Sequence, residues 1–175
     1  MHTLAAVAAT AQILVAAAFA SIPLLRHRFG AAAGAAARAE LRRQGVRPEV
    51  LAENRLRFDA SGHEWWAPGS FAAASLLAAG LNLAGHPLGT TLTWVFSTIA
   101  FLANLLILQS QLGAAKSVRA AFRRKGDAEL LTIDVPAFLR AAESAFPAWT
   151  RTLQHLRHST VFAGSALALT AAALI

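Results

Sequence analysis

The chain has no cysteine. That excludes disulfides, thiol redox chemistry and Cys-ligated metal, and with them thiol-dependent quinone reduction. It also has little charge: Asp, Glu, Lys and Arg make up 14% of its 175 residues, where soluble domains carry about 25%. The short signatures of familiar chemistry are missing too. There is no glycine-rich phosphate loop, no Gly-x-Ser-x-Gly elbow, no Asp-rich metal motif, no His-Glu-x-x-His and no haem-attachment pattern.

What charge there is, is confined. Positions 26–57 hold eight of the sixteen Lys and Arg, and positions 116–157 hold the other eight. All nine acidic residues fall within 40–64 or 127–143. The rest is nearly charge-free apolar sequence, as the interior of a bilayer demands. Net charge is +7. The basic residues flank apolar runs and no motif of a nucleic-acid fold is present, so anionic lipid is the expected partner and nucleic acid is not.

Four stretches are long enough for a hydrocarbon core of about 30 Å, which takes about 20 helical residues. They cover 3–25, 67–84, 88–112 and 159–175. The first run contains "AFAS" (18–21), which resembles a signal-cleavage site. However, no basic residue precedes the run and "RHR" (26–28) follows it, the reverse of a cleaved signal. A retained span with its N-terminus outside is expected. The positive-inside rule then makes segments 26–66 and 113–158 cytoplasmic and both termini external. Trp65, Trp66 and Trp149 fall at the cytoplasmic interface and Trp94 near the external one. Arg supplies fourteen of the sixteen basic residues and Ala is abundant, the bias of a GC-rich genome, so the expected location is a bacterial cytoplasmic membrane.

The charged segments repeat a phrase. "ARAELRRQG" (37–45) and "VRAAFRRKG" (118–126) share five identities in register, and "SFAAASLLAAG" (70–80) aligns with "VFAGSALALTA" (161–171). The expected fold is therefore an all-α, integral membrane four-helix bundle. It would be a parallel tandem repeat of two-span units, about 1–85 and 86–175, within a single membrane domain. The basic phrases read as helices continuing out of spans one and three, with Gly45 and Gly126 as left-handed C-caps. Arg38, Arg42, Arg43, Lys116, Arg119, Arg123 and Arg124 are expected to form a collar that meets lipid headgroups. A further amphipathic helix is predicted over 135–146, N-capped by Asp134 and stopped by Pro147, with its apolar stripe in the membrane interface or over the bundle's mouth.

No ionisable residue lies well inside a span, which disfavours ion-coupled transport. Gln12, Asn82, Asn104 and Gln109 are the larger polar residues there and are expected mainly to bond between helices. One polar constellation stands out. Arg151, His155 and His158 recur at i, i+4 and i+7 before span four, and His63 and Glu64 hold the matching place before span two. Arg26 and His27 end span one, and Asn104 lies in the middle of span three. Converging, these eight would form a shallow cytoplasm-facing pocket for an anionic headgroup. Apart, they would be interfacial residues bonding headgroups or backbone. The sequence requires no cofactor and no metal.

The functional expectation is a non-enzymatic accessory or scaffold subunit whose basic cytoplasmic surface binds anionic inner-leaflet lipid, a partner protein or a second copy of the chain. The alternative is a membrane-embedded enzyme acting on an amphiphilic substrate at that polar pocket.

Overall fold

The structure is a computed structural model that describes every residue except Met1, Arg55, Asp59, Ser61 and Ile175, with the side chains of His63 and Glu64 also outside the description. The described residues are helical or irregular, with no strand among them. In chain order the helices are α1 (His2–Arg43), α2 (Val50–Glu53), α3 (Gly62–Leu83), α4 (Pro87–Leu112), α5 (Ala114–Lys125), α6 (Ala128–Leu131), α7 (Val135–Ser144) and α8 (Trp149–Ala173). They divide into two compact units. The first is Met1–Pro23, Gly62–Leu108 and Arg151–Ile175; the second is Leu24–Ser61 and Gln109–Thr150.

Two helices, α1 and α4, are long and apolar enough to cross a membrane, with 18-residue windows of mean hydropathy 2.0 and 1.9. A core helix of a soluble protein would be mostly buried, but the window of α4 is only 22% buried. Helices α3 and α8 start earlier than the apolar limits 67 and 159, at Gly62 and Trp149. Their first turns stay helical through residues such as Glu64, Arg151 and Arg157, and neither reaches the apolarity of the other two.

The first unit packs through small residues. One buried cluster draws Val15, Ala16, Ala18 and Phe19 from α1, Ala72 from α3, Ala100 from α4 and Val161 from α8. Phe19 stacks on Phe71 with ring centroids 5.0 Å apart. Two glycines permit close helix approach. A Cβ on Gly89 would lie 2.7 Å from the Asn82 backbone nitrogen, and one on Gly164 would lie 2.8 Å from a Val15 methyl. Beside Gly89, three helices share a buried polar triad. Asn82 Nδ2 donates to Gln12 Oε1 at 3.1 Å and to Thr93 Oγ1 at 2.8 Å. Gln12 Nε2 donates to the same hydroxyl at 2.7 Å, which in turn donates a hydrogen bond to the Gly89 carbonyl at 2.7 Å. All three side chains of the triad are therefore hydrogen-bonded, as a dry interior favours, whereas Ser165 Oγ, buried on α8, has no partner among the described residues.

The second unit has its own core. Ala33, Ala37 and Leu41 of α1 meet Val46, Val50 and Leu51 of the following turn and α2, together with Phe122, Leu130, Ile133, Val135, Phe138 and Ala142. Gly45 at φ 75° and Gly126 at φ 68° take the left-handed conformation that ends α1 and α5, which only glycine adopts without cost. Asp127 and Asp134 cap the next two helices, accepting from Glu129 N and Ala137 N. The stripe of α7 packs into the second unit's own core. Val135, Phe138 and Ala142 are buried in this core, because α1 and α5 present complementary apolar faces to them.

The triad and the two glycines generate a prediction. Asn82→Ala strands the Gln12 carboxamide oxygen in the interior, at a cost of about 1–3 kcal/mol. Gly89→Ala forces α3 and α4 apart and is expected to cost a similar amount through overpacking. Gly80→Ala, with nothing within 4 Å of the added carbon, should be neutral or slightly stabilising. Thermal melts of the three variants in detergent test this ordering; equal midpoints for Gly80→Ala and Gly89→Ala would refute the close-approach account.

Candidate functional site

The candidate pocket residues are distributed over both units. Arg26 and His27 belong to the second; Arg151, His155, His158 and Asn104 belong to the first, as do His63 and Glu64, whose side chains lie outside the described residues. Within the first unit the structure brings two of them together. Asn104 Nδ2 donates to the His158 carbonyl at 3.3 Å, which turns its Oδ1 toward His158 Nδ1 at 2.8 Å. With the amide nitrogen so engaged, Oδ1 can only accept, so the imidazole proton sits on Nδ1. Both side chains are buried, and the pair ties α4 to α8. Arg151 and His155, on the same helix as His158, are exposed. In the second unit Arg26 is a tie rather than a free charge: its Nε donates to the Phe58 carbonyl at 3.4 Å and its Nη2 to the Arg57 carbonyl at 3.5 Å. It thereby holds the 57–58 segment against α1.

The seven headgroup candidates all belong to the second unit and are exposed, yet they differ in what they touch. Arg43 forks onto Glu40, with Nε and Nη2 at 2.7 and 2.6 Å from its two oxygens. Arg38, Arg42, Lys116, Arg119, Arg123 and Arg124 make no hydrogen bond or ion pair with any described residue. Next to them runs a polar seam not anticipated from the sequence. Arg47 clasps Glu129 through its backbone N at 2.9 Å and its guanidinium at 2.8 and 3.1 Å, and reaches Glu53 at 3.2 Å. Lys125 Nζ donates to the Asn54 carbonyl and side-chain oxygen at 3.0 and 2.8 Å. Gln44 donates to Glu40 at 2.7 Å and accepts from Asp134 N at 2.8 Å. The seam thus uses up the carboxylates of Glu40, Glu53 and Glu129.

Electrostatics follow from those contacts. The Arg43 fork, with Gln44 adding a second bond, brings the Glu40 carboxyl down from the ordinary 4.5 to about 2. The Glu40 side chain is only 12% exposed, and that burial works against the shift, which the hydrogen bonds outweigh. Glu129 is also lowered, first by the Arg47 backbone N–H and then by the guanidinium.

Between α1 and the segment that returns over it lies an open cleft of about 850 Å³. Its floor is the small-residue face of α1, at Gly30, Ala31 and Gly34. Leu51, Leu56 and Phe58 form an apolar wall, with Phe58 fixed edge-on against Phe138 at 5.8 Å and its carbonyl held by Arg26. Arg38, Arg42, Arg57 and Glu49 stand at the exposed rim. Sequence reasoning singled out Arg38 and Arg42 but missed the cleft. The cue was the small face Gly30–Ala31–Gly34, spaced to leave one side of a helix bare. Among the described residues, no three His, Asp or Glu side chains stand together as metal ligands would.

A pH dependence follows from the seam. Glu40 has a folded-state pKa below its unfolded one, so its contact contributes fully above about 4.5 and is lost as pH falls toward about 2. Glu129 acts in the same direction. The second unit should lose stability between pH 5 and pH 3, seen as a falling thermal midpoint. Glu40→Gln should lower the midpoint at pH 7 and flatten the acid limb; an acid limb as steep as wild type would show that Glu40 does not contribute.

The chain matches no protein-family model, no curated protein and no solved structure.

Proposed function

We propose that the chain is a four-span bundle of a bacterial cytoplasmic membrane. Its termini are outside, and its basic segments 26–66 and 113–158 face the cytoplasm. It acts as a non-enzymatic accessory or scaffold subunit whose basic surface binds anionic lipid. The observation that carries this reading is the inverted face of α4. Its buried residues are Gly89, Thr93, Ser97, Ala100 and Asn104, small or polar, while Trp94, Val95, Ile99, Leu102, Leu105 and Leu106 point outward. In water that arrangement is unfavourable, since each exposed large apolar side chain forgoes about 1.5–3 kcal/mol of burial. In hydrocarbon it is the expected one, because close packing of small residues and interhelical hydrogen bonds replace the hydrophobic drive.

Two observations support the remainder. The buried cluster of the first unit takes residues from α1, α3, α4 and α8 together, as a four-span bundle would. The two basic phrases also behave as copies of one design. Leu41 and its counterpart Phe122 are buried in the same core, Ala37 lies in it and Val118 packs against it, and Gly45 and Gly126 both take positive φ. Six exposed basic side chains on those helices have no partner among the described residues and are available to phosphate groups.

Two measurements test the reading. Orientation is read by an impermeant thiol reagent on single cysteines in this cysteine-free chain. His86→Cys should label in intact cells and Ala128→Cys should not, and the reverse pattern would invert the topology. Headgroup binding is read by the anionic lipid enriched around protein in nanodiscs of mixed phosphatidylglycerol and phosphatidylcholine. Joint replacement of Lys116, Arg119, Arg123 and Arg124 by Gln should remove most of the enrichment, given about 1 kcal/mol per basic residue at an anionic surface. Equal enrichment would leave a protein partner as the better assignment for the collar.

A further inference from the structure

The geometry points to the cleft of the second unit as a stoichiometric site for a single anionic amphiphile. A phosphate or similar oxyanion would sit between Arg38 and Arg42, and its apolar part against Leu51, Leu56 and Phe58. This rests on the proposed membrane location only for the source of the ligand; the site itself is drawn from one unit.

The argument begins with the two guanidinium groups. Arg38 and Arg42 stand one turn apart on α1, where like charges repel. Neither has a partner among the described residues. Nearby cations are treated differently: Arg43 has Glu40, and Arg47 has Glu53 and Glu129. Among the described residues the carboxylate that lines the cleft is Glu49, and it is bonded to neither arginine. Arg57 is also on the lining. A bound oxyanion would relieve the repulsion and accept paired N–H bonds from planar forks, a geometry for which arginine is better suited than lysine.

The wall says what is attached to the anion. A site for a bare anion is made from backbone N–H groups and polar side chains, but here one side is Leu51, Leu56 and Phe58. Those three are not loose: Leu51 is buried in the core, Leu56 and Phe58 pack on it, and Arg26 with Phe138 holds Phe58 in place. The floor is bare because α1 has glycine at 30 and 34. A Cβ at Gly34 would point toward the Arg38 guanidinium, 3.5 Å away, and the Phe58 ring, 3.9 Å away. Position 34 therefore lies between the charged rim and the apolar wall. About 850 Å³ falls within the range of pockets that take small organic ligands, enough for a headgroup and the adjoining part of a chain.

The test uses the full chain in an uncharged detergent with dihexanoylphosphatidylglycerol as probe, followed by calorimetric titration. Dihexanoylphosphatidylcholine and inorganic phosphate form the comparison arms. The expected result is one equivalent of the anionic lipid bound, at least tenfold tighter than either comparison. Arg38→Gln/Arg42→Gln should weaken it at least tenfold with an unchanged melt, since neither side chain bonds to another described residue. Gly34→Leu should block it, whereas Gly34→Ala, meeting its neighbours at ordinary contact distance, should retain it. Wild-type affinity in the Arg38/Arg42 variant overturns the site. Phosphate bound as tightly as the lipid overturns the amphiphile and leaves a free-anion site. The collar variant at 116, 119, 123 and 124 separates this from the broader reading: it should lose enrichment of bulk anionic lipid and keep the one-equivalent site. Loss of that site along with the enrichment would show that the titration reports only the collar.

Discussion

The core of each unit depends on residues from one helix, α1. At 42 residues and 1.5 Å per residue, α1 is about 63 Å long, roughly twice the thickness of a hydrocarbon core. Its first half presents Ala8, Ala11, Val15 and Phe19 to the small-residue packing of the first unit, and Gln12 to the triad. Its second half presents Ala33, Ala37 and Leu41 to the core of the second unit. The arginines come only in that second half, after Pro23. A helix that stopped at residue 25 would leave that second core without its floor.

The two units also reach stability by different routes. In the first, large side chains point out and close contact is made by alanine, glycine and serine, with hydrogen bonds from Gln12, Asn82, Thr93 and the Asn104–His158 pair adding specificity. In the second, Leu41, Phe122, Val135 and Phe138 fill an ordinary apolar interior, and charged pairs close its edge. Arginine in that second unit has two distinct uses. Arg43 and Arg47 are turned onto the protein's own carboxylates, while Arg38 and Arg42 are left facing outward.

Local features were legible in the sequence because their causes are local. Gly45 and Gly126 end helices through backbone conformation alone, and Asp134 caps α7 through a bond three residues on. The long apolar helices declare themselves by composition. The continuation of α1 through the basic phrase was readable from helical spacing, whereas the second phrase forms a separate helix, α5, parted from α4 at Gly113. Partnerships across the chain were not. Nothing in the string around Arg47 indicates Glu129, 82 positions away, or ties Gln44 to Asp134, 90 away. The stripe of α7 was visible as a stripe, but what covers it was not, since an amphipathic period reports a face and not its neighbour. The cleft escaped for the same reason: its wall, from Leu51 to Phe58, is an irregular return whose path depends on Arg26 and Phe138.

The triad of Gln12, Asn82 and Thr93 also carries information about order in time. Asn82 and Thr93 are 11 residues apart on either side of a tight hairpin, whereas Gln12 is 70 residues from Asn82. The entropic cost of closing a loop grows with the logarithm of its length, so the α3–α4 hairpin can pair its two polar groups well before the distant third arrives. Until then Asn82 has a donor bond to share and Thr93 has an accepting lone pair vacant, and the amide of Gln12 supplies both complements at once. The N-terminal helix, made first during synthesis, thus meets through Gln12 a hairpin whose own two polar groups are close in sequence.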